Sequence, residues 1–177
     1  MKSIISERGD NSLYNEQNTI EISRQEMVEK YFDMVFRLAL SQTKSRDFSD
    51  EVVQDVFLRF LKQEKPFESE EHIKAWLIRV TINCSKSMFT NSWFKRTEGL
   101  DENMEIAFED KEESDVFYAT QELPPKYRTV IHLFYYEDMS VEQIAKTLDQ
   151  KESTVKSQLH RAREMLREKL KRGYDFV

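Results

Sequence analysis

Apolar positions in this chain recur at steps of three and four, the spacing that stacks side chains on one face of an α-helix. The pattern first takes hold at Met27, Tyr31, Met34, Val35, Leu38 and Ala39, which predicts a helix over residues 23–43 capped by Ser23 with Glu26 as its partner. Val52, Val53, Val56, Phe57, Phe60 and Leu61 predict a second helix over 49–63. Ser49 serves as its N-cap, and Asp50 and Glu51 lie in the first turn, where the helix dipole favours acids. Pro66 ends that segment. A third long helix starts near Ser69 and runs past Asn83, with Trp76 and Val80 expected inward and Asn83 and Lys86 outward. Val116, Phe117 and Ala119 mark a shorter helix over 114–122. Leu123-Pro124-Pro125 breaks it, and Pro125 suits the first turn of the next helix, which carries Tyr127, Val130, Ile131, Phe134 and Tyr135. Residues 1–22 have weak periodicity and read as a tail.

The strongest pattern runs from Met139 to Leu170. Ser140 and Gln143 have the spacing of a capping box, and Val141, Ile144, Ala145 and Leu148 share one face. A polar break follows at Asp149-Gln150-Lys151-Glu152. The next helix buries Val155, Leu159, Ala162 and Leu166 and turns Lys156, His160, Arg161, Arg163 and Arg167 outward. That is a helix-turn-helix pattern, with small Ala145 where two helices must approach closely.

Composition narrows the fold. Three glycines and three prolines in 177 residues favour helices and disfavour a β-sandwich or a nucleotide-binding α/β fold. The expected class is all-α, with two small helical domains. The net charge is −6, yet residues 151–172 hold eight Lys or Arg against three acids. A basic face on an acidic protein points to a polyanion, against the blander reading of a solvated helix face. Residues 74–96 hold five basic residues and no acids, interleaved with Trp76, Phe89, Trp93 and Phe94. Such a mixture suits stacking on unpaired bases and contact with phosphates. Residues 97–115 hold nine acids against one lysine, the composition of a tether between domains. The acids at Glu51 and Asp55, with Gln54, read as a solvated helix face or as a docking surface, and patterning alone favours the former.

Other chemistry finds little support. Cys84 is the only cysteine, which excludes an internal disulfide and fits a reducing compartment. His72, His132 and His160 lack ligand spacing, so neither a metal nor a cofactor is expected. No phosphate-cradling glycine loop or nucleophile elbow is present, and an enzyme is disfavoured. No apolar run reaches the roughly 20 residues of a membrane helix, and no signal peptide is visible, so a cytoplasmic protein without membrane insertion is expected.

Four stretches together carry a resemblance. Ser49-Asp50-Glu51-Val52-Val53-Gln54-Asp55-Val56-Phe57 resembles region 2.2 of bacterial sigma-70 family factors. Ala75-Trp76-Leu77-Ile78-Arg79-Val80-Thr81-Ile82-Asn83 resembles their regions 2.3 and 2.4. Leu123-Pro124-Pro125-Lys126-Tyr127-Arg128, Met139-Ser140-Val141-Glu142-Gln143-Ile144-Ala145, and Ser153-Thr154-Val155-Lys156-Ser157-Gln158-Leu159-His160-Arg161-Ala162-Arg163-Glu164 resemble region 4. Nothing between them is similar to region 3, which points to the extracytoplasmic-function subgroup. The resemblance implies a region 2 domain over 23–96, an acidic linker over 97–113 and a region 4 domain over 114–177.

It also implies partners and roles. Glu51, Gln54, Asp55 and Leu58 match positions that dock on the β′ clamp helices of core RNA polymerase, which reverses the blander reading of that helix. The β flap is the expected contact of region 4. Trp76, Arg79, Asn83, Cys84, Ser85, Lys86 and Ser87 match the segment that reads and melts the −10 element, where a flipped base needs a pocket of amides and small polar groups. Thr154, Lys156, Ser157, His160, Arg161 and Arg163 match the helix that enters the major groove of promoter DNA at the −35 element. An anti-sigma factor is a further implied partner. Departures from the family pattern fall in the turn. Asp149 replaces the usual glycine, Gln150 an apolar residue, and Lys151 the usual serine cap, so Ser153 becomes an alternative cap. A stand-alone helix-turn-helix activator is the other reading, but it leaves the Glu51–Gln54–Asp55 surface and the aromatic-basic helix without work.

Overall fold

The computed structural model describes residues 24–90 and 111–174, and the expectations for the 1–22 tail, the Ser23 cap and the linker up to residue 110 lie outside them. Among the described residues seven helices follow in order: α1 (Arg24–Thr43), α2 (Arg46–Leu61), α3 (Glu70–Thr90), α4 (Lys111–Gln121), α5 (Pro125–Tyr135), α6 (Val141–Leu148) and α7 (Glu152–Tyr174). Helices α1, α2 and α3 pack on one another, as do α4 to α7. The two sets also meet, α5 against α1 and α6 against α3.

The first bundle closes around Val35, Leu38, Val52, Val56, Phe60, Leu77 and Ile78, all essentially inaccessible to solvent. Each comes from the apolar stripe of its helix, so burial follows the three-and-four spacing. Trp76 is half-buried, its ring 6.0 Å from Phe60 and 5.7 Å from Phe67. Val80, expected inward, is only half-buried.

The start of α2 differs from expectation. Ser45, not Ser49, is the N-cap, its hydroxyl accepting from the Phe48 N–H. Lys44 takes a left-handed φ of 58°, which ends α1 and moves the N-cap of α2 four residues earlier than expected. Ser49 lies inside the helix, donating its hydroxyl to the Ser45 carbonyl at 2.6 Å and sitting 2.8 Å from Thr43 Oγ1. Two serines four residues apart both satisfy the capping pattern. The one beside the sharp turn takes the role, and the buried one satisfies its hydroxyl locally.

In the second bundle the capping box forms as expected. Gln143 N donates to Ser140 Oγ at 3.2 Å, and Ser140 N donates to Gln143 Oε1 at 2.8 Å. Asp149 supplies the left-handed turn, with φ 53° and ψ 51°, where glycine would be costless. Helix α7 then starts at Glu152. Thr154 and Val155 donate their N–H groups to the Lys151 carbonyl, so Ser153 lies in the first turn and is not the cap. Val155, Leu159 and Ala162 bury against Val130, Leu133 and Ile144.

Burial separates α2 into two kinds of apolar residue, and Leu77 and Leu58 test the distinction across the bundle. Leu77→Ala should lower unfolding free energy by about 2–5 kcal/mol, because it empties a fully buried site. Leu58 is 54% exposed, and Leu58→Ala should stay within about 0.5 kcal/mol of the parent chain. Urea unfolding followed by circular dichroism distinguishes the two.

Candidate nucleic-acid interface

Helix α7 turns a polar stripe to solvent. Thr154, Lys156, Ser157, His160 and Arg161 are all exposed. Lys156 pairs with Glu152 at 3.4 Å and His160 with Glu164 at 3.4 Å, both one helical turn apart. Pairs of this kind on a wet surface are weak, so a phosphate or base edge can displace them at little cost. The Arg161 guanidinium lies beside the Tyr127 phenol and holds it below its ordinary pKa.

Arg163 differs from its neighbours. Its guanidinium lies over the rings of Phe134 and Tyr135, and Nε donates to the Tyr135 hydroxyl at 2.9 Å. Stacking and hydrogen bonding aim it at a groove between α4, α5 and α7 instead of along the stripe. That groove, a cavity of about 830 Å³, is floored by Val116, Ile131, Tyr135 and Leu166 and rimmed by Arg163 and Arg167. It was not legible as a site beforehand, because its floor residues come from three helices.

Helix α3 divides the residues expected at a −10 element. Arg79, Asn83, Lys86 and Ser87 are exposed along one side. Trp76 belongs to the aromatic cluster with Phe60 and Phe67. Cys84 and Ser85 face inward, 4% and 1% exposed, and Ser85 donates its hydroxyl to the Thr81 carbonyl at 2.8 Å. In this structure those two pack against the bundle instead of meeting solvent.

Cys84 has a different neighbour. Its Sγ lies 3.2 Å from Asp55 Oδ2, as donor to that carboxylate. Asp55 also accepts from Arg59 Nε at 3.0 Å and pairs with its Nη2 at 2.9 Å. The Arg59 hydrogen bond, opposed by partial burial and aided by Cys84, holds the Asp55 carboxyl below the usual range. Burial, with the adjoining carboxylate, pushes the Cys84 thiol up to about 11. The Asp55–Arg59 spacing of four was visible in sequence, but the Cys84 contact joins α2 to α3 and was not. Glu51, Gln54 and Leu58 stand exposed beside this pair. No group of three His, Cys, Asp or Glu able to hold a metal exists among the described residues, and no described helix is long and apolar enough to cross a membrane.

Comparison with known proteins decides the family. The model for sigma-70 region 2 matches residues 27–94, and the model for sigma-70 region 4 matches residues 116–166. RNA polymerase sigma factor SigV of Bacillus subtilis is 30% identical over 136 residues, covering 75% of this chain and 81% of that protein. The chain belongs to the sigma-70 family. Its relatives are extracytoplasmic-function factors. One is SigE of Mycolicibacterium smegmatis, 28% identical over 82% of this chain and 60% of that protein. In fold, this sigma factor is similar to RpoE of Bartonella quintana, solved in complex with the anti-sigma factor NepR. The TM-score is 0.72 at 23% identity, over 83% of this chain and 96% of that one. It is also similar to CnrH, solved with the cytosolic domain of CnrY, with a TM-score of 0.60 at 22% identity, over 84% and 87% of the two chains. As a member of the extracytoplasmic-function group it directs RNA polymerase to promoters, and it is a specificity subunit, not an enzyme.

The Cys84 environment makes a testable statement about this sigma factor. Alkylation by iodoacetamide needs the thiolate. In the folded chain it should be at least about tenfold slower at pH 8 than in urea, and should rise only as pH approaches about 11. Equal rates folded and unfolded would contradict the burial and hydrogen bond described above.

Proposed function

We propose that this sigma factor docks on the β′ clamp helices through Glu51, Gln54, Asp55 and Leu58, reads and helps melt the −10 element from α3, and reads the −35 element from α7. The division into domains over 23–96 and 114–177, joined by the acidic 97–113 segment, belongs to the same reading. What carries it is the exposure pattern. Helices α2, α3 and α7 each pack an apolar stripe and leave a polar stripe of the residue types that these contacts need. On α3 the work falls to Arg79, Asn83, Lys86 and Ser87. Trp76, Cys84 and Ser85 support that face from within. On α7 it falls to Thr154, Lys156, Ser157, His160 and Arg161, with arginine suited to guanine O6 and N7. Arg163 belongs to the groove instead. There an apolar floor with a cationic rim suits the β flap.

A cytoplasmic setting follows from work on the chromosome. An anti-sigma partner is supported by RpoE of Bartonella quintana, which was solved with the anti-sigma factor NepR.

Two substitutions test the assignments. Gln54→Ala combined with Asp55→Ala should weaken binding to core polymerase by about tenfold or more, a loss of roughly 1.4 kcal/mol, with helicity unchanged. Because the Asp55 carboxyl titrates below its usual range, its contribution should persist at mildly acidic pH and fade only as pH falls through that lowered value. A titration showing unchanged core affinity contradicts the docking assignment. Arg161→Ala should cost about 1–3 kcal/mol of discrimination at the −35 element and leave core association intact. If transcription is equal from promoters with and without that element, the α7 assignment fails.

A further inference from the structure

Glu137 lies in the connection between α5 and α6, and its side chain is only 6% exposed. A buried carboxylate needs compensating charge. Two cations and an imidazole lie near it. His132 Nε2, from α5, is 3.5 Å away. Arg37 Nη2, from α1, is 3.8 Å away, and Lys74 Nζ, from α3, is 4.0 Å away. Lys74 also donates to the Glu137 backbone carbonyl at 3.0 Å. Both cations, Arg37 and Lys74, therefore come from the other half of the chain. Nearby, buried Arg128 reaches across to the Gln42 carbonyl at 3.4 Å, and Gln42 Nε2 donates to Thr129 Oγ1 at 3.2 Å.

Buried apolar residues of both halves form one cluster, and the polar groups set into the seam are only partly satisfied. Glu137 Oε1, His132 Nε2 and Arg128 Nε are buried without a hydrogen bond in the protein. Water would satisfy them once the halves part, so closure gains less than an apolar seam of the same size would.

We propose that Glu137 is an interdomain latch: paired with Arg37 and Lys74 it holds region 4 against region 2 in a docked state that cannot engage both promoter elements at once. The consequence, though not the latch itself, rests on the reading of α3 and α7 given above. Elements centred about 25 base pairs apart lie roughly 85 Å apart on B-DNA, at about 34–36 Å per turn. A docked pair of this size has a radius of gyration of roughly 15 Å. In that state Arg79, though exposed, lines a cleft of about 780 Å³ shared with Gln143 and Lys146 of α6. Breaking the Glu137 pairs frees region 4 to reach its own element.

The test uses the full chain with spin labels on Lys62→Cys and Gln150→Cys, both exposed positions. Buried Cys84 stays unlabelled, which the chain without the added cysteines verifies. The parent should give one short distance between the halves. Arg37→Gln with Lys74→Gln, and separately Glu137→Gln, should raise the long-distance fraction by about tenfold, within the usual range of coupling between two states. Arg37 and Lys74 side chains are 51% and 31% exposed, so the double variant keeps the region 2 bundle even if Glu137→Gln disturbs region 4. A parent-like distribution in the double variant, with helicity retained, overturns the latch. Run-off transcription at limiting sigma factor completes the test. More initiation from the opened variants is the expected result. Opened distances without any gain would leave the latch standing and contradict the promoter reading from which its consequence was drawn.

Discussion

Neither helical half of this chain is large enough to bury its apolar faces well by itself. A domain of about 60 residues hides only about 60% of the surface its unfolded chain exposes. That constraint shapes everything else in the structure. Each helix devotes one stripe to a small core: Leu38 on α1, Val56 and Phe60 on α2, Leu77 and Ile78 on α3, Val130 and Leu133 on α5, and Val155 and Leu159 on α7. What remains is then free for partners. It also explains why the halves meet, since α5 on α1 and α6 on α3 bury surface that neither bundle covers internally.

Two kinds of contact follow from that economy. Inside each bundle the contacts are apolar and tight. Between the bundles the buried apolar cluster continues, and beside it lie ionic, incompletely hydrogen-bonded groups around Glu137 and Arg128. Burial in that seam lowers the Arg128 pKa, a sign that its charge sits in poor solvent. If the chain is latched as proposed, compact when idle and extended on polymerase, it needs this difference in kind. Function places a similar demand on charge. A chain of net charge −6 is repelled by DNA at long range, so on the proposed reading its basic stripes need polymerase to hold them in place.

Most of the fold was legible because helix periodicity is a local signal. The apolar stripes, the Ser140 capping box and the left-handed turn at Asp149 all depend on residues within one or two turns. Misreadings arose where two neighbours compete for one role. Ser45 and Ser49 both fit a cap, and the left-handed Lys44 decided between them. Ser153 reads as an alternative cap to Lys151, and the Lys151 carbonyl, which accepts from Thr154 and Val155, carries no side-chain signal. The candidate site was legible by residue type but not by direction. Cys84 and Ser85 sit next to Asn83 in sequence, yet helix rotation turns them inward. Arg163 belongs to the basic run of α7, yet two aromatic rings from α5 claim it. Contacts across elements, Cys84 to Asp55 and Glu137 to Lys74, have no signature in a single sequence.

The account stands on this chain choosing where polymerase starts. The most direct measurement maps transcript 5′ ends from a genomic fragment library, using purified core polymerase with and without the chain. Starts that appear only with the chain, and share two sequence elements about two and a half helical turns apart, are the expected result. An unchanged set of starts would contradict it.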